Sequence, residues 1–362
     1  MAATPGLRFY GSLKLRENSK ITVCAAHVAP VYLDPRATVA KACGLIAEAS
    51  EKGADLVVFP ESYVPGFPLW TAVAPPYRNH EFFERFVAAS IRVPGPEIAD
   101  LCRAARDAQI MVSMGISEST DVSVGCLWNS NLLIEKDGSI LNHHRKLVPT
   151  FFEKLIWANG DGVGLRVTET SLGRIGMLIC GENTNPLARY ALIAMGEQVH
   201  MSSYPPIWPT HQPSANDAYD LTSAIRIRAG AHSFEAKAFN IVASSILDET
   251  ALDALKPLGD EAMDIITGSP RGASMILNPQ GNVIAETASR EDELLVADID
   301  LQDCVVPKQF HDVAGYYNRF DIFDFAVDRS PRDPARLPGN DGPRRYDFDM
   351  LNSRWARADA AE

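Results

Sequence analysis

Short runs of branched apolar residues alternate with helical patterns along most of the chain, and this alternation restricts the fold more than any other feature. Residues 21–28 (ITVCAAHV) predict a buried strand, after which Asp34 and Pro35 begin a helix. The segment DLVVFPESY follows as a strand that ends at Glu61, which completes a β-α-β unit. A helix from Pro96 and the strand QIMVSMGIS repeat the pattern. Such alternation is typical of α/β proteins.

Two predicted hairpins add antiparallel strands to this pattern. One spans WNSNLLIEKDGSILNHHRKL with its turn at 136–138, and the other spans ASMILNPQGNVIAET with its turn at 279–281. Because both kinds of connection occur, we expect a mixed sheet within a single domain that covers residues 1–327. Residues 328–362 are rich in Pro, Arg and Asp, and this composition predicts a tail that is extended or disordered, or that orders against another subunit.

The composition limits the class of protein. A chain of 362 residues with 46% hydrophobic content is long enough for one large core or two smaller ones. Its net charge of -12 argues against a nucleic-acid partner, because phosphate binding requires a basic surface. The N-terminal segment lacks the apolar core of a signal peptide, and no apolar run is long enough to span a bilayer. We therefore expect no membrane partner and a cytoplasmic location.

The cysteines and histidines give no sign of a metal site. The six cysteines are scattered, without a C-x-x-C pair or a cluster with histidine. In a chain of this length, the scatter predicts reduced thiols and no disulfide framework. His143 and His144 could suggest a metal site or a Cys-His pair, but no third ligand has the spacing of a zinc site. We expect neither a metal nor a cofactor.

Cys180 lies at a junction in the segment RIGMLICGENTNPLARY. An apolar run rich in branched residues ends at this cysteine, and Asn185 and Pro186 then provide the N-cap and first residue of a helix. Two interpretations are open at this point. A buried cysteine is usually an inert structural thiol, whereas the positive end of the following helix would favour a reactive thiolate.

Three segments in this order carry a family resemblance. They are VVFPESYVPGFPLW at Glu61, HHRKLVPTFFEKLIWANGDG at Lys146 and LICGENTNP at Cys180. Together they resemble the three signatures of the nitrilase superfamily, the carbon-nitrogen hydrolases. The resemblance extends over roughly residues 20–327. It implies a four-layer α-β-β-α sandwich with mixed sheets, and the flanking residues look more like the nitrilase branch than the amidase or carbamoylase branches.

The resemblance also implies four catalytic residues. Cys180 is the nucleophile and Glu61 is the base that removes its proton, since a free thiol with a pKa of ~8.5 is mostly protonated at neutral pH. Lys146 and the backbone at Gly181 stabilise the negative charge that develops on the substrate. Glu153, which follows the lysine in a Pro-Thr-x-x-Glu pattern, positions Lys146 and aids proton transfer.

The same resemblance gives a pocket and a reaction. Phe67, Thr150, Gly181 and Pro205 are predicted to line the substrate pocket, with Trp208 as a further candidate. The expected reaction converts an organic nitrile and two waters to a carboxylic acid and ammonia through a thioimidate and a thioester. The alternatives are an amidase or nitrile-hydratase-like enzyme and, from another class, a non-catalytic assembly protein. Members of this family resemble one another in forming dimers that stack into spirals, so we expect a homo-oligomer.

Three positions depart from the family pattern. Many nitrilases have Trp directly after the cysteine, whereas this chain has Gly181, which suggests a roomier or reshaped pocket. Phe151 occupies a position that often carries His or Tyr, and Tyr316 and Tyr317 stand where His-Tyr is common.

Overall fold

Strands and helices alternate in the structure as the sequence pattern predicts. The computed structural model describes residues 19–210, 219–332 and 346–355. Within these ranges the strands are β1 Lys20–His27, β2 Leu56–Val58, β3 Ile91–Arg92, β4 Met111–Ser119, β5 Trp128–Ile134, β6 Ile140–Arg145, β7 Thr168–Thr170, β8 Gly173–Ile179, β9 Val199–Tyr204, β10 Phe239–Ser244, β11 Ser274–Leu277, β12 Val283–Thr287 and β13 Glu293–Asp300. The helices are α1 Pro35–Glu51, α2 Trp70–Val73, α3 His80–Ala89, α4 Pro96–Ala108, α5 Pro186–Ala194, α6 Leu221–Ala236, α7 Glu249–Leu255, α8 Asp260–Gly268, α9 Val305–Lys308 and α10 Phe348–Trp355.

The strands form two mixed sheets. The first has the order β13-β1-β2-β4-β5-β6, with β3 also paired to β4, and the second has the order β12-β11-β10-β9-β8-β7. In the first sheet β1, β2 and β4 run parallel, while β13, β5 and β6 are antiparallel to their neighbours. In the second sheet β8, β9 and β10 are parallel. The predicted mixed α/β class is therefore confirmed.

Strand β1 shows why the layers stack in the order that they do. Its apolar side chains occupy both faces, because successive residues of a strand point in opposite directions. Ile21, Val23 and Ala25 enter the apolar layer between the two sheets, whereas Cys24 and Ala26 pack with α1 and α4 on the outer face. On the far side of the molecule, α5 and α6 cover the second sheet. This arrangement is the predicted four-layer α-β-β-α sandwich.

Turn residues in the sequence correctly predicted several boundaries of the strands, and one predicted boundary differs. Both hairpins occur, as β5-β6 and β11-β12, and glycines with positive φ, Gly138 and Gly281, lie in their turns. The strand predicted to reach Glu61 is shorter, because β2 ends at Val58 and the chain turns through Ser62, whose φ is 47°. A left-handed residue cannot continue a strand, so Glu61 lies in a turn.

The end of the chain differs in part from the predicted extended or disordered tail. Tyr346 pairs with Ile140 at the edge of β6, and α10 packs against α4 with Leu351 fully buried. The two apolar residues of α10 that enter the core explain the difference, since they give this part of the tail a surface to bury. The predictions for residues 333–345 and 356–362 fall outside the described residues, and the domain boundary at residue 327 stays a prediction.

None of the six cysteines forms a disulfide, and all six lie in the described ranges. None of the helices in the described ranges is both long and apolar enough to cross a membrane.

Candidate active site

Glu61 lies in the turn after β2 and is almost completely buried. Its Oε1 accepts hydrogen bonds from Lys146 Nζ at 2.7 Å and from Asn129 Nδ2 at 2.8 Å. Its Oε2 is buried and has no hydrogen-bond partner among the described residues. One oxygen is therefore fixed by two donors, and the other is available to accept a proton.

Lys146 directly follows β6, and its side chain is fully buried. The Nζ atom donates to Glu61 Oε1 at 2.7 Å and to both oxygens of Glu153, at 2.9 and 2.7 Å. Burial alone would lower the pKa of the ammonium, but the carboxylates of Glu153 and Glu61 raise it above its ordinary value. The lysine is therefore a permanent cation at neutral pH.

Glu153 lies in a short 3-10 turn, Phe151–Leu155, that Thr150 caps. Its Oε2 accepts the backbone N–H of Thr150 at 2.9 Å while it also binds Lys146. Burial raises the pKa of this carboxyl to about 7, although the positive charge of Lys146 opposes the shift. The same side chain thus holds both the lysine and the backbone of the turn.

Cys180 begins a second 3-10 turn, Cys180–Thr184, immediately after β8, and its φ is 48°. The thiol is buried, and its sulfur lies within 4.8 Å of carboxylate oxygens of Glu61 and Glu153. Burial and the charge of Glu61 raise the pKa of the thiol well above its ordinary value, against the opposing effect of Lys146. The following helix begins at Pro186 as predicted, but its positive end does not make a thiolate the favoured form, because burial favours the neutral thiol.

Glu182 ties the Lys146 segment to the Cys180 turn. Its carboxylate accepts the backbone N–H of Leu147 at 2.6 Å and that of Ile179 at 2.7 Å. His144 lies 3.0 Å from the same carboxylate, while His143 lies 2.8 Å from Glu118. The two adjacent histidines thus face two different carboxylates, which is a structural arrangement and gives no support to the metal or Cys-His alternatives.

Aromatic rings pack in the same apolar cluster as Cys180. Phe67 lies 5.7 Å from Trp157 and 6.2 Å from Trp208 between ring centroids, and Trp208 stacks on Phe152 at 4.4 Å. Two predicted pocket residues, Phe67 and Trp208, therefore belong to one aromatic wall. Pro205 follows directly after β9 and its carbonyl accepts the hydroxyl of Ser244 at 2.8 Å.

Thr150 and Gly181 meet at a separate small cleft of about 280 Å³. A Cβ atom built on Gly181 would lie 2.5 Å from Thr150 Oγ1, so any larger residue requires the threonine to move. Thr150 therefore occupies the space next to Gly181, which favours a reshaped pocket over a roomier one. Neither Phe67 nor Pro205 borders this cleft.

Two further residues at the site were not predicted. Asn129, the second residue of β5, belongs to no motif, yet its side chain fixes Glu61. Tyr204 ends β9, and the parallel pairing of Ile179 with Ser203 places it beside Cys180. Its buried hydroxyl has no hydrogen-bond partner within the part of the chain that the structure describes. The only sequence signal for Tyr204 is its position at a strand end before two prolines.

The fold and this cluster of a cysteine, a lysine and two glutamates define one class of protein. Comparison with known proteins identifies the same class. The model of the carbon-nitrogen hydrolase family matches residues 20–308. The chain belongs to the carbon-nitrogen hydrolase family.

Several relatives within that family have names that specify a reaction. The chain is 36% identical to Nitrilase 2 from an unknown prokaryotic organism over 316 residues, which cover 87% of this chain and 95% of that protein. It is 32% identical to the arylacetonitrilase of Aspergillus kawachii over 323 residues, which cover 88% and 95% of the two chains.

Solved structures share the fold. A carbon-nitrogen hydrolase from Helicobacter pylori G27 superposes with a TM-score of 0.62 at 21% identity, covering 80% of this chain and 92% of that one. A double mutant of the amidase from Nesterenkonia sp. AN1, in complex with acrylamide, superposes with a TM-score of 0.57 at 20% identity, covering 80% of this chain and 95% of that one.

Proposed function

We propose that the protein is a nitrilase that hydrolyses an organic nitrile to the carboxylic acid and ammonia, with Glu61, Lys146, Glu153 and Cys180 as its catalytic residues. The observation that carries this proposal is the buried cluster itself, in which a thiol, a permanently charged ammonium and a carboxylate oxygen without a partner lie together. Relatives at 31–36% identity, most of them matched over nearly their whole length, are named nitrilase or arylacetonitrilase, which supports a nitrile as the substrate.

The reaction begins from a neutral thiol. Because burial holds the pKa of Cys180 high, its proton leaves only as the sulfur attacks the nitrile carbon, and Glu61 Oε2 accepts it. A bond forms between sulfur and carbon, one carbon-nitrogen π bond breaks, and the nitrogen takes the proton from Glu61 to give a neutral thioimidate. Lys146 stabilises the negative charge that develops on the nitrogen.

Two waters complete the reaction. The first adds to the thioimidate carbon with Glu61 as base, and the tetrahedral adduct loses ammonia to leave a thioester. The second water hydrolyses the thioester to the carboxylic acid and regenerates the thiol. If the thiol leaves from the tetrahedral adduct instead, the product is the amide, so we expect a minor amide by-product.

The aromatic wall of Phe67, Phe152, Trp157 and Trp208 supports an apolar substrate with an aromatic group. Such rings remove apolar surface from water and favour edge-to-face contact with another ring. Phe67, Thr150, Gly181 and Pro205 remain our proposed substrate-binding residues.

The experiment compares the wild type, Cys180→Ser and the control Cys43→Ser, whose cysteine lies on α1 away from the cluster. Each is incubated with aliphatic and aromatic nitriles and the matching amides, and ammonia, acid and amide are measured by chromatography. We expect acid and ammonia from nitriles with wild type and control, and neither with Cys180→Ser. Turnover of amides alone would assign an amidase instead, and inactivity on the whole panel would favour the assembly-protein alternative.

We further propose a cytoplasmic homo-oligomer, built from dimers that stack into a spiral. Six cysteines without a disulfide among them support a reducing compartment. Five exposed aromatic residues support an interface near the end of the domain, namely Phe310, Tyr316, Tyr317, Phe320 and Phe323. Light scattering tests the assembly: Phe320→Glu with Phe323→Glu should lower the particle mass, whereas Tyr77→Glu, at an equally exposed aromatic residue elsewhere, should not.

A further inference from the structure

A chain of four buried polar side chains connects α6 to the Cys180 turn. His232 Nε2 lies 2.6 Å from Glu197 Oε2, and Glu197 Oε1 lies 2.7 Å from His200 Nδ1. His200 Nε2 lies 2.9 Å from Asn183 Oδ1. All four residues are at most 1% exposed, and the proposed mechanism uses none of them. We call this set the Asn183 relay.

The relay ends on the backbone of the nucleophile. Asn183 Nδ2 lies 3.1 Å from the carbonyl oxygen of Cys180 and 3.2 Å from that of Leu178. Only an NH2 group can donate to two carbonyls, and the opposite amide orientation would place an oxygen against both of them. The amide is therefore oriented with Nδ2 towards Cys180 and Oδ1 towards His200.

This orientation fixes the protons further along the relay. Since Asn183 Oδ1 can only accept, His200 Nε2 must carry a hydrogen. If that imidazole is neutral, its Nδ1 has a lone pair that faces Glu197 Oε1, and two acceptors at 2.7 Å need a proton between them. If the imidazole is charged, the same proton lies on Nδ1. In both cases Nε2 and the Glu197–His200 bond each contain a hydrogen. The two side chains together therefore carry one proton more than an ionised glutamate and a neutral histidine would.

The residues around the Glu197–His200 bond leave space for it, and the set does not need a metal ion to satisfy its polar atoms. Gly176 on β8 lies against the carboxylate, because a Cβ atom there would be 2.0 Å from Glu197 Oε1. Burial lowers the pKa of His200 to about 4 and the charge of Glu197 only partly opposes that effect, while against the effect of burial the two histidines lower the pKa of Glu197 to about 2. These shifts alone favour an ionised glutamate and a neutral histidine, so the shared proton is assigned from the contact geometry of Asn183, His200 and Glu197. The relay also has the donor types of a metal site, with ligand atoms of Glu197, His200 and His232 within 4.8 Å of one another. However, each of those atoms already faces a partner within the set.

We propose that the Asn183 relay is a positioning device for the nucleophile, in which a proton held between Glu197 and His200 orients Asn183, and Asn183 holds Cys180 in its left-handed conformation. That conformation, with φ of 48°, is strained for a non-glycine residue and persists only where its surroundings impose it. The relay acts on the backbone of Cys180 and not on the substrate. This inference rests on the proposed role of Cys180 as nucleophile.

The test compares two isosteric replacements of Glu197. In Glu197→Gln, the new NH2 group donates to His200 Nδ1 and the amide oxygen accepts from His232, so the neutral side chain reproduces the proton positions. Glu197→Leu has a similar volume and does neither. We expect kcat within about twofold of wild type for Glu197→Gln, and a fall of about tenfold or more for Glu197→Leu with little change in KM. His200→Phe, which keeps the ring but cannot donate, should behave like Glu197→Leu.

A second readout does not depend on the nitrile reaction. The rate at which iodoacetamide alkylates Cys180, followed on the Cys180 peptide by mass spectrometry, should fall with kcat in Glu197→Leu and His200→Phe and stay unchanged in Glu197→Gln. If Cys180 is alkylated as expected but no nitrile is turned over, the proposed function fails and the relay stands.

Three outcomes would overturn the relay. Equal losses in Glu197→Gln and Glu197→Leu would mean that the charge of Glu197 matters and not its proton. If folded His200→Phe keeps the alkylation rate and the kcat of the wild type, the relay has no positioning role. If the purified wild type contains one equivalent of tightly bound metal and His200→Phe does not, a metal ion and not a proton joins Glu197 to His200.

Discussion

Glu61 uses its two carboxylate oxygens differently. Oε1 receives Lys146 and Asn129, and Oε2 is left free of donors in the described structure. The asymmetry allows one oxygen to keep the group in place while the other exchanges a proton. A glutamine at this position would keep the shape but would lose the basic oxygen.

We therefore predict that Glu61→Gln folds normally and loses activity. Because the variant removes one buried charge while Lys146 stays paired with Glu153, the thermal midpoint should change little. The value of kcat/KM should fall by roughly 10²–10⁴, the usual contribution of a positioned base. Glu48→Gln, on the exposed side of α1, is the matched control for both measurements. An activity within about threefold of wild type would exclude Glu61 as the base.

Glu153 gives a prediction about pH. Its pKa of about 7 in the folded protein compares with about 4.3 in an unfolded chain. Between these values the folded state holds a proton that the unfolded chain has released, so the contribution of this group to stability falls as pH rises, by up to about 4 kcal/mol. In Glu153→Gln this titration is absent, and a glutamine still suits the capping box of the turn.

The measurement is the thermal midpoint of both proteins from pH 5 to pH 8. The midpoint of the wild type should fall relative to that of Glu153→Gln as pH rises, with most of the change below pH 7. Parallel curves would mean that Glu153 is already ionised across this range.

At the scale of elements, two N-caps of the same kind have different neighbours. The exposed Asp34 caps α1 by accepting the N–H of Ala37, and Asn185 caps α5 by accepting the N–H groups of Leu187 and Ala188. Asn185 also ends the turn that begins at Cys180. Substitution of Asp34 should therefore affect only helix stability, whereas substitution of Asn185 should also affect the geometry of the Cys180 turn.

We predict that Asp34→Ala and Asn185→Ala each destabilise the protein by about 1 kcal/mol, the usual cost of a lost cap. Only Asn185→Ala should also lower kcat, because the end of the nucleophile turn then loses its restraint. Denaturant unfolding and initial rates, measured on the same preparations, test both parts. A normal kcat in Asn185→Ala would show that the turn does not depend on the helix that follows it.

The elements also show what could be read from the sequence and what could not. Asn185-Pro186 and the glycines of the hairpin turns act through neighbouring residues, so α5, β5-β6 and β11-β12 were predictable. The left-handed conformations of Ser62, Phe151 and Cys180 were not, since tertiary contacts impose them. The roles of Asn129, Glu182 and the Asn183 relay arise from pairings between distant segments, and no local pattern encodes them. The high pKa of Cys180 likewise depends on burial that only the fold reveals.

At the scale of the whole molecule, α10 extends the outer helical layer beyond the part of the chain that resembles the family. Phe348 packs against Gly138 and lies under Arg106, whose guanidinium carbon is 4.3 Å from the ring centroid. Leu351 is fully buried in the same core. The final segment therefore supports the hairpin β5-β6, whose second strand leads into Lys146.

We predict that Phe348→Ala lowers stability by roughly 3 kcal/mol, as expected for the loss of a buried phenylalanine. The nearby exposed residue Met350, replaced by Ala, is the control and should have a much smaller effect. Catalytic rates at low temperature should stay close to wild type, because the residue does not touch the cluster. Equal thermal midpoints for the two variants would mean that α10 does not pack on the core in solution.

The pairing of β1 with β13 has a consequence for how the protein is made. Eight residues of β1, from Lys20 to His27, pair with Asp300 to Glu293 at the other end of the domain. A ribosome therefore releases every residue of the cluster well before the strand that covers this edge exists. Until residue 300 emerges, one side of β1 offers unpaired backbone groups to any neighbouring chain. Synthesis that stalls between Cys180 and β13 should yield fragments that aggregate through this edge, so a cell that produces the protein needs a chaperone most during that interval.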